Sequence, residues 1–578
     1  MFNDLVTGFP LTITNSPSLS RAAKVSTQSF HYNPLRQWLT RFSLSLGLSL
    51  VSTFSAIPAL GAERITFFVS PFGQFNIGIE DLEIFAKDGT MTRQFAYYAN
   101  FATPTQLAAL RILLNSRFNI SPRYVYLFTR LPVGKTLLRR LGNVIKADFN
   151  RNGFYPLRGA LVSAASDPEG LSVINVLRKF SLETIYLDVE LISDVTDELS
   201  RLFVVNDVVF SAIKNRAKLQ GEGSRSFNFS AQADLRNSGG IGWRKETFEV
   251  YNSERQASFP VDIYLPNYSD QGAIRGSIPT LVISHGLASD RNTFAYLAKH
   301  LASYGFAVAV PEHIGTSSER INQIFAGFAT PLNPTAIIHR PLDVKYLLDE
   351  LSAKANSDPS KFGRLNLEEV GVIGQSFGGY TVLALGGAKL NFEQLTSECD
   401  AARQNNLSLD VSLLLQCRGT QLPPEDYNLG DERVKAVIAV NPLSNPIFGE
   451  AGMSQIQVPV MMVSSIRDIF APPVEQQITP FSWLTTPENY LVVTEAGTHF
   501  SYLGGEGEGV LPVPPELIGP DPAIARPYLM ALSTAFFKTY IAKQPEYASY
   551  LSESYVKEIS QDPLNLFLIQ SLQENQLK

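Results

Sequence analysis

Short apolar runs alternate with helical patterns through the second half of the chain, from about residue 241 onwards. The runs are rich in valine, isoleucine and leucine, as buried strands are. Strand and helix in alternation predict a mostly parallel sheet covered by helices on both faces. The predicted strands are 248–251, 261–265, 280–284, 307–310, 370–373, 434–440, 458–463 and 490–493.

Helical patterns dominate the region before that sheet, residues 63–220. Apolar residues recur there at helical spacing, which predicts a smaller helical domain. Residues 221–240 are polar and rich in glycine and serine, so we interpret them as a linker to a domain over residues 241–545. The last residues, 546–578, are predicted to form a helical tail.

The first 62 residues have the pattern of a targeting segment. Arg41 precedes an uncharged, serine-interrupted apolar run over residues 42–62, which ends in the small residues of Ala59-Leu60-Gly61. A basic flank, an apolar run and a small-residue end are typical of a secretory signal peptide. An uncleaved membrane anchor over the same residues is the alternative, because about 20 apolar residues can span a bilayer. We therefore expect an exported protein, periplasmic or extracellular, or one held at the membrane by residues 42–62.

Composition narrows the class of function. Hydrophobic residues make up 45% of the 578 residues and charged residues 18%, the balance of a folded globular protein. The net charge of −6 gives no chain-wide basic surface for nucleic acid. The only two cysteines, Cys399 and Cys417, exclude a four-cysteine zinc site. In an exported chain we expect a disulfide between them, with two buried free thiols as the alternative.

The strongest motif lies directly after the predicted strand 370–373. It reads Gly374-Gln375-Ser376-Phe377-Gly378, a G-x-S-x-G sequence between a strand and a helix. This is the nucleophile elbow, in which a sharp turn holds a serine hydroxyl out of the sheet. The placement predicts Ser376 as a nucleophile rather than a helix-capping serine.

A serine hydroxyl needs a base, and the chain has six histidines. His499 alone follows the last predicted strand, where a loop reaches the carboxyl edge of a parallel sheet. We therefore predict His499 as the base, and we expect His300 to lie on the exposed face of a helix.

An acid is needed between serine and histidine to orient the imidazole ring. Asp468 comes directly after the predicted strand 458–463, and we predict it as this acid. Glu475 and Glu495 are the rivals, although neither follows a strand directly.

An oxyanion hole completes the arrangement, because attack on an ester carbonyl creates a negative oxygen. The backbone N–H of Phe377 is the expected first donor, and the loop His285-Gly286-Leu287 supplies the second through Leu287. Arg340 is expected to be structural, near the start of a helix.

These motifs in this order resemble the α/β-hydrolase superfamily, from about residue 241 to residue 542. Within it, the chain is most similar to platelet-activating-factor acetylhydrolases and dienelactone-hydrolase-like esterases. The matching pieces are Ser284-His285-Gly286-Leu287, Gly374-Gln375-Ser376-Phe377-Gly378-Gly379, Arg467-Asp468 and Thr498-His499-Phe500. The resemblance implies an α/β-hydrolase fold, a Ser376–Asp468–His499 triad, an oxyanion hole at Leu287 and Phe377, and no cofactor or metal. From Ala62-Glu63-Arg64-Ile65 onwards, the leading region resembles a domain of unknown function that precedes hydrolase domains in cyanobacterial proteins.

Two departures from the acetylhydrolase pattern concern the substrate. Gln375 stands where a histidine is common in that family, and the insertion over residues 391–431 has no counterpart in it. We expect Gln375, His285 and His313 to contact substrate, with loop bracing as the alternative for His285. The insertion is a candidate lid.

The sequence thus predicts an exported serine hydrolase that cleaves carboxylic esters, with short-acyl lipid or phospholipid esters implied by the resemblance. It predicts a small-molecule or lipid ester partner, membrane-surface contact and no nucleic acid. A serine peptidase of the prolyl-oligopeptidase type and a non-catalytic binding protein on the same fold are the alternatives.

Overall fold

The structure is a computed structural model. It describes residues 61–71, 73–100, 104–118, 120–191, 205–222, 232–268, 274–404, 410–504 and 515–572. The signal-or-anchor prediction therefore lies outside the described residues, apart from its last two positions.

A nine-stranded sheet forms the centre of the second domain. Its strand order is β13-β12-β11-β10-β9-β7-β8-β6-β5. The six strands from β12 to β8 run parallel, whereas β6, β5 and β13 add antiparallel edges. The strands are β5 (Trp243–Asn252), β6 (Ala257–Pro266), β7 (Ile278–Ser284), β8 (Ala307–Pro311), β9 (Leu365–Gln375), β10 (Val434–Val440), β11 (Val460–Ser465), β12 (Asn489–Thr494) and β13 (Leu566–Ile569).

Helices cover both faces of this sheet, because the side chains of each strand alternate between two apolar cores. On β7, Val282 faces one core, whereas Leu281 and Ile283 face the other. The alternation of strand and helix predicted this covered parallel sheet, and the resemblance implied the α/β-hydrolase fold that it forms. The helices are α9 (Ala295–Ser303), α10 (Ser318–Ala326), α11 (Ala336–Ser357), α12 (Phe377–Leu385), α13 (Phe392–Gln404), α14 (Val411–Gln416), α15 (Gly449–Met453), α16 (Thr479–Ser482), α17 (Pro515–Ile518), α18 (Pro522–Tyr540) and α19 (Glu553–Ile559).

The leading region is mostly helical, as predicted, and most of its helices enclose a third apolar core, whereas the helix Asn206–Glu222 packs into a core of the central sheet. It also contains a four-stranded sheet of order β2-β1-β4-β3, which the sequence analysis missed. The pairing of β1 with β2 is a local hairpin, whereas the pairing of β1 with β4 joins strands more than 100 residues apart and has no local pattern. The elements are β1 (Arg64–Val69), β2 (Gly73–Gly78), β3 (Ile145–Lys146) and β4 (Thr184–Leu187), with α1 (Ile79–Asp88), α2 (Arg93–Ala99), α3 (Pro104–Asn115), α4 (Pro122–Phe128), α5 (Pro132–Val144), α6 (Phe154–Ala165), α7 (Val173–Arg178) and α8 (Asn206–Glu222). Arg117–Phe118 and Leu171–Ser172 form a further short antiparallel pair.

The prediction of a helical tail over residues 546–578 is wrong in part. Strand β13 lies in this segment and closes the central sheet beside β12. Helix α8 also packs here, with the ring of Phe210 at 5.4 Å from the ring of Phe567. A run of four apolar residues is too short for its periodicity to indicate a strand. The segment forms a strand because it pairs with β12.

The predicted linker is described at residues 221–222, which end helix α8, and at residues 232–240, which have neither helix nor strand. Leu235 is nevertheless fully buried in the core of the second domain. His300, expected on an exposed face, is also buried there, and burial lowers its pKa to about 4. In the described part of the chain, no helix has the length and apolarity needed to cross a membrane.

Candidate active site

The backbone at Ser376 forms the elbow between β9 and α12. Ser376 has φ 58° and ψ −119°, a conformation that residues with a side chain rarely adopt. The flanking glycines permit it: a Cβ on Gly374 would lie 2.2 Å from the carbonyl oxygen of Gly378, and one on Gly378 would lie 2.0 Å from that of Ser284. The hydroxyl is thereby presented at the carboxyl edge of the sheet.

Two loops bring the other predicted triad members to this hydroxyl. Nε2 of His499 lies 2.9 Å from Oγ of Ser376, and Nδ1 of His499 lies 2.6 Å from Oδ2 of Asp468. All three side chains are at least nine-tenths buried. The three residues are separated by up to 123 positions in the chain, and the structure places them in one hydrogen-bonded row.

Asp468 divides its two oxygens between the histidine and its own loop. Oδ1 accepts the backbone N–H groups of Phe470 and Ala471, each at 2.8 Å, which leaves Oδ2 for His499. These bonds hold the carboxylate in one orientation. Because Oδ2 accepts from Nδ1–H, the Nε2 atom of neutral His499 carries the lone pair that faces Ser376.

The histidine loop is held by two amide side chains. Nε2 of Gln375 donates to the carbonyl oxygen of His499 at 3.1 Å. Asn441 follows β10 with φ 43°; its Oδ1 accepts the backbone N–H of Ser465 at 2.9 Å, and its Nδ2 donates to the carbonyl oxygen of Thr498, in the histidine loop, at 3.4 Å. The sequence analysis missed Asn441, because an asparagine after a strand resembles any turn residue. Gln375 therefore braces the site from the interior, where the sequence analysis expected a substrate contact.

The predicted oxyanion donors lie on either side of the nucleophile. Phe377 is the first residue of α12, so its N–H has no acceptor within the helix. Within the described residues, the backbone N–H of Leu287 donates to no backbone carbonyl either. A Cβ on Gly286 would lie 3.5 Å from Cβ of Ser376, so the second donor loop passes close to the nucleophile.

His285 begins that loop and His313 follows β8, and both side chains are buried. Nε2 of His285 accepts the backbone N–H of His313 at 2.9 Å, so Nδ1 carries the proton and donates to the carbonyl of Gly286 at 2.8 Å. Nε2 of His313 lies 2.9 Å from Oγ of Ser284. Burial lowers the pKa of each imidazole well below its ordinary value, so both are neutral. These hydrogen bonds brace the loop, and contact of the two histidines with substrate stays a prediction.

Two aromatic rings lie beside His499. The ring centre of Phe500 is 5.3 Å from that of His499, and the ring centre of Phe470 is 5.7 Å away. Both rings are half-buried, and Ile469 next to them is 45% exposed. The side of the site next to the base is therefore apolar.

The insertion over residues 391–431 packs onto the domain. Cys399 and Cys417 are joined by a disulfide with their Cα atoms 5.6 Å apart. Gln416 in α14 is buried, donates to Oε1 of Gln476 at 3.1 Å and accepts the backbone N–H of Ile447. Arg140 of α5 donates to the carbonyl of Ala402 at 2.8 Å. These bonds tie the described part of the insertion to the domain core and to the leading region. They do not support the prediction that the insertion moves as a lid.

A cavity of about 730 Å³ is lined in part by residues that contact the oxyanion loop. His313, Thr316 and Arg340 form one of its walls, and Arg255, Arg291 and Arg320 lie among its other lining residues. Across the described residues, no cluster of three or more histidine, cysteine or acidic side chains is arranged to hold a metal ion.

Two family models match parts of the chain. Residues 61–188 match the model described as "Alpha/beta hydrolase of unknown function (DUF1400)". Residues 263–326 match "Platelet-activating factor acetylhydrolase, isoform II", a stretch that contains the loop with Leu287 and ends before Ser376. No curated protein matches the chain. The nine-stranded sheet and the two matches support a hydrolase, and together they are consistent with a member of the α/β-hydrolase superfamily.

Proposed function

We propose that this protein is a serine esterase in which Ser376, His499 and Asp468 act as a triad. The observation that carries the proposal is the row of two hydrogen bonds, 2.6 Å from Asp468 to His499 and 2.9 Å from His499 to Ser376. A nucleophile and a base within hydrogen-bond distance, with the base oriented by a third group, are what acyl transfer requires.

The reaction proceeds in two halves. Oγ of Ser376 attacks the ester carbonyl while Nε2 of His499 takes its proton, and Asp468 stabilises the imidazolium. The oxyanion accepts from the N–H groups of Leu287 and Phe377. His499 then gives the proton to the departing alcohol, which leaves an acyl-enzyme. Water, deprotonated by His499, attacks the acyl group and releases the acid and the free serine.

The apolar wall of Phe470 and Phe500 supports an ester with an apolar group next to the scissile bond. The acetylhydrolase match over residues 263–326 supports a short acyl chain on a lipid or similar alcohol. We therefore propose short-acyl lipid or phospholipid esters as the substrate class. As part of the same proposal, we expect the protein to contact a membrane surface.

The experiment compares the wild-type protein with Ser376→Ala on p-nitrophenyl esters of increasing acyl length and on a peptide anilide. We expect hydrolysis that is fastest for short acyl chains, little cleavage of the anilide, and no activity in the variant. A fluorophosphonate probe should label the wild type and leave Ser376→Ala unlabelled.

The alternatives predict different results in the same assays. Faster cleavage of the anilide than of any ester would favour a peptidase. Folded wild-type protein that neither turns over esters nor accepts the probe would favour a binding protein on this fold.

Export is a separate proposal that rests on residues 1–62 of the sequence. We expect the full-length chain, expressed in its native cells, to reach an exported compartment and to lose these residues. Cell fractionation with N-terminal sequencing of the recovered protein tests this. Recovery of uncut protein in membranes would favour the anchor, and recovery of uncut protein in the cytosol would contradict both.

A further inference from the structure

Arg340 is a fully buried cation next to the candidate oxyanion hole. It lies in the first turns of α11 and is 1% exposed. Burial lowers the pKa of its guanidinium to about 9, so the group stays charged at neutral pH. A buried charge destabilises the fold unless it is well hydrogen-bonded, so the guanidinium of Arg340 needs several acceptors.

The guanidinium contacts both halves of the hole. Its Nη2 donates to the carbonyl oxygen of His285, on the loop that carries the Leu287 N–H. Its central carbon lies 4.9 Å from the ring centre of Phe377, the residue that carries the other donor. The remaining hydrogen bonds go to hydroxyls: Nε to Thr381 at 3.1 Å, Nη2 to Ser284 at 3.3 Å, and Nη1 to Thr316.

The consequence for the loop follows from peptide geometry. Arg340 fixes the carbonyl of His285, and the His285 ring fixes the carbonyl of Gly286. In a trans peptide the C=O and the next N–H point in opposite directions. Holding the Gly286 carbonyl towards the His285 ring therefore turns the Leu287 N–H to the opposite side of the peptide.

We propose that Arg340 is a positioning residue for ester hydrolysis. Its guanidinium holds the loop that carries the Leu287 donor and the ring of Phe377 in a fixed position relative to each other. This inference rests on the proposed function. The hydrogen bonds of Arg340 end on neutral oxygens, and the nearby carboxylates of Asp343 and Glu312 stabilise its charge. Arg340 acts through the two backbone donors and does not touch the substrate.

The test compares Arg340→Ala, Arg340→Lys and a control, Arg320→Ala. Removal of one oxyanion donor typically costs about 100- to 1000-fold in kcat, and we expect Arg340→Ala to lose about 100-fold with KM within about 3-fold. A lysine cannot span several acceptors, so Arg340→Lys should recover only part of this loss. Arg320 lines the same cavity without contacting the oxyanion loop, and its variant should keep wild-type kcat.

Two readouts separate positioning from a merely structural role. A trifluoromethyl ketone forms a tetrahedral oxyanion on Ser376, so its affinity should fall in parallel with kcat while ester KM does not. Arg340 lines the cavity of about 730 Å³, so added guanidinium ion should partly restore kcat in Arg340→Ala, and potassium at equal ionic strength should not.

Each outcome decides the inference. Wild-type kcat in folded Arg340→Ala, or equal losses of ester and ketone binding, would overturn it while leaving the esterase proposal intact. If wild-type protein lacks ester turnover, the proposed function itself fails. Should Arg340 variants not fold, Thr316→Val removes one acceptor and keeps the arginine; a kcat loss of at least about 3-fold at constant KM supports the inference, and an unchanged kcat overturns it.

Discussion

The backbone of Ser376 makes a prediction that separates strain from chemistry. The residue holds φ 58° and ψ −119°, where a Cβ is unfavourable and glycine is not. Such a conformation costs roughly 1–3 kcal/mol for a residue with a side chain. Ser376→Gly should release that cost, whereas Ser376→Ala keeps the Cβ and should retain it.

The comparison of the two variants isolates the backbone term. Both lose Oγ and its hydrogen bond to His499, so those losses cancel. Glycine also raises the entropy of the unfolded chain, which offsets roughly 0.4–1 kcal/mol. Ser376→Gly should therefore be more stable than Ser376→Ala by roughly 0.5–2 kcal/mol.

Urea unfolding followed by tryptophan fluorescence measures this difference. Two of the three tryptophans, Trp243 and Trp483, lie in the domain with the elbow. We expect a higher midpoint for Ser376→Gly at an unchanged slope, and no esterase activity in either variant. A midpoint for Ser376→Gly equal to or below that of Ser376→Ala would refute stored strain at the elbow.

Three further predictions concern the acid, the disulfide and a buried carboxyl group. Asp468→Asn should lower kcat about 10⁴-fold at neutral pH, because the amide no longer selects the His499 tautomer with its lone pair towards the serine; steady-state kinetics measure it. Replacing Cys399 and Cys417 by serine should cost about 3 kcal/mol of unfolding free energy, since the bridge closes a loop of 18 residues, and thermal unfolding checks it. Burial raises the pKa of Glu553 from 4.5 to about 7, so the folded state binds its proton more tightly than the unfolded chain does. Stability should consequently fall as pH rises from about 4.5 to about 7, and Glu553→Gln should flatten this part of the profile in thermal unfolding scans.

Each of these has a matched control. Glu495→Gln, at a rival acid position, should keep wild-type kcat; a loss as large as that of Asp468→Asn would contradict the assignment of the acid. Reductant should destabilise the wild type and leave the double serine variant unchanged. For Glu553→Gln, a pH profile as steep as that of the wild type would assign the dependence to another group.

The chain by itself determined the parts of this protein that depend on local pattern. The elbow at Ser376 was readable because its glycines are required within five consecutive residues. Asp468 and His499 were readable because each follows a predicted strand, and the ends of parallel strands meet at one edge. The fold class followed from the alternation of strand and helix.

Tertiary structure alone decided the rest. Arg340 and Asn441 carry no signal of their own, since their contacts lie on other strands and loops. Strand β13 and the strand β4 of the leading region exist through pairings with distant segments. The hydrogen bonds of Gln375, His285 and His313 to neighbouring loops also depend on the fold, and their contact with substrate stays a prediction. The role of each of these residues depends on neighbours that are distant in sequence and close in space. The order of residues along the chain does not show which neighbours these are.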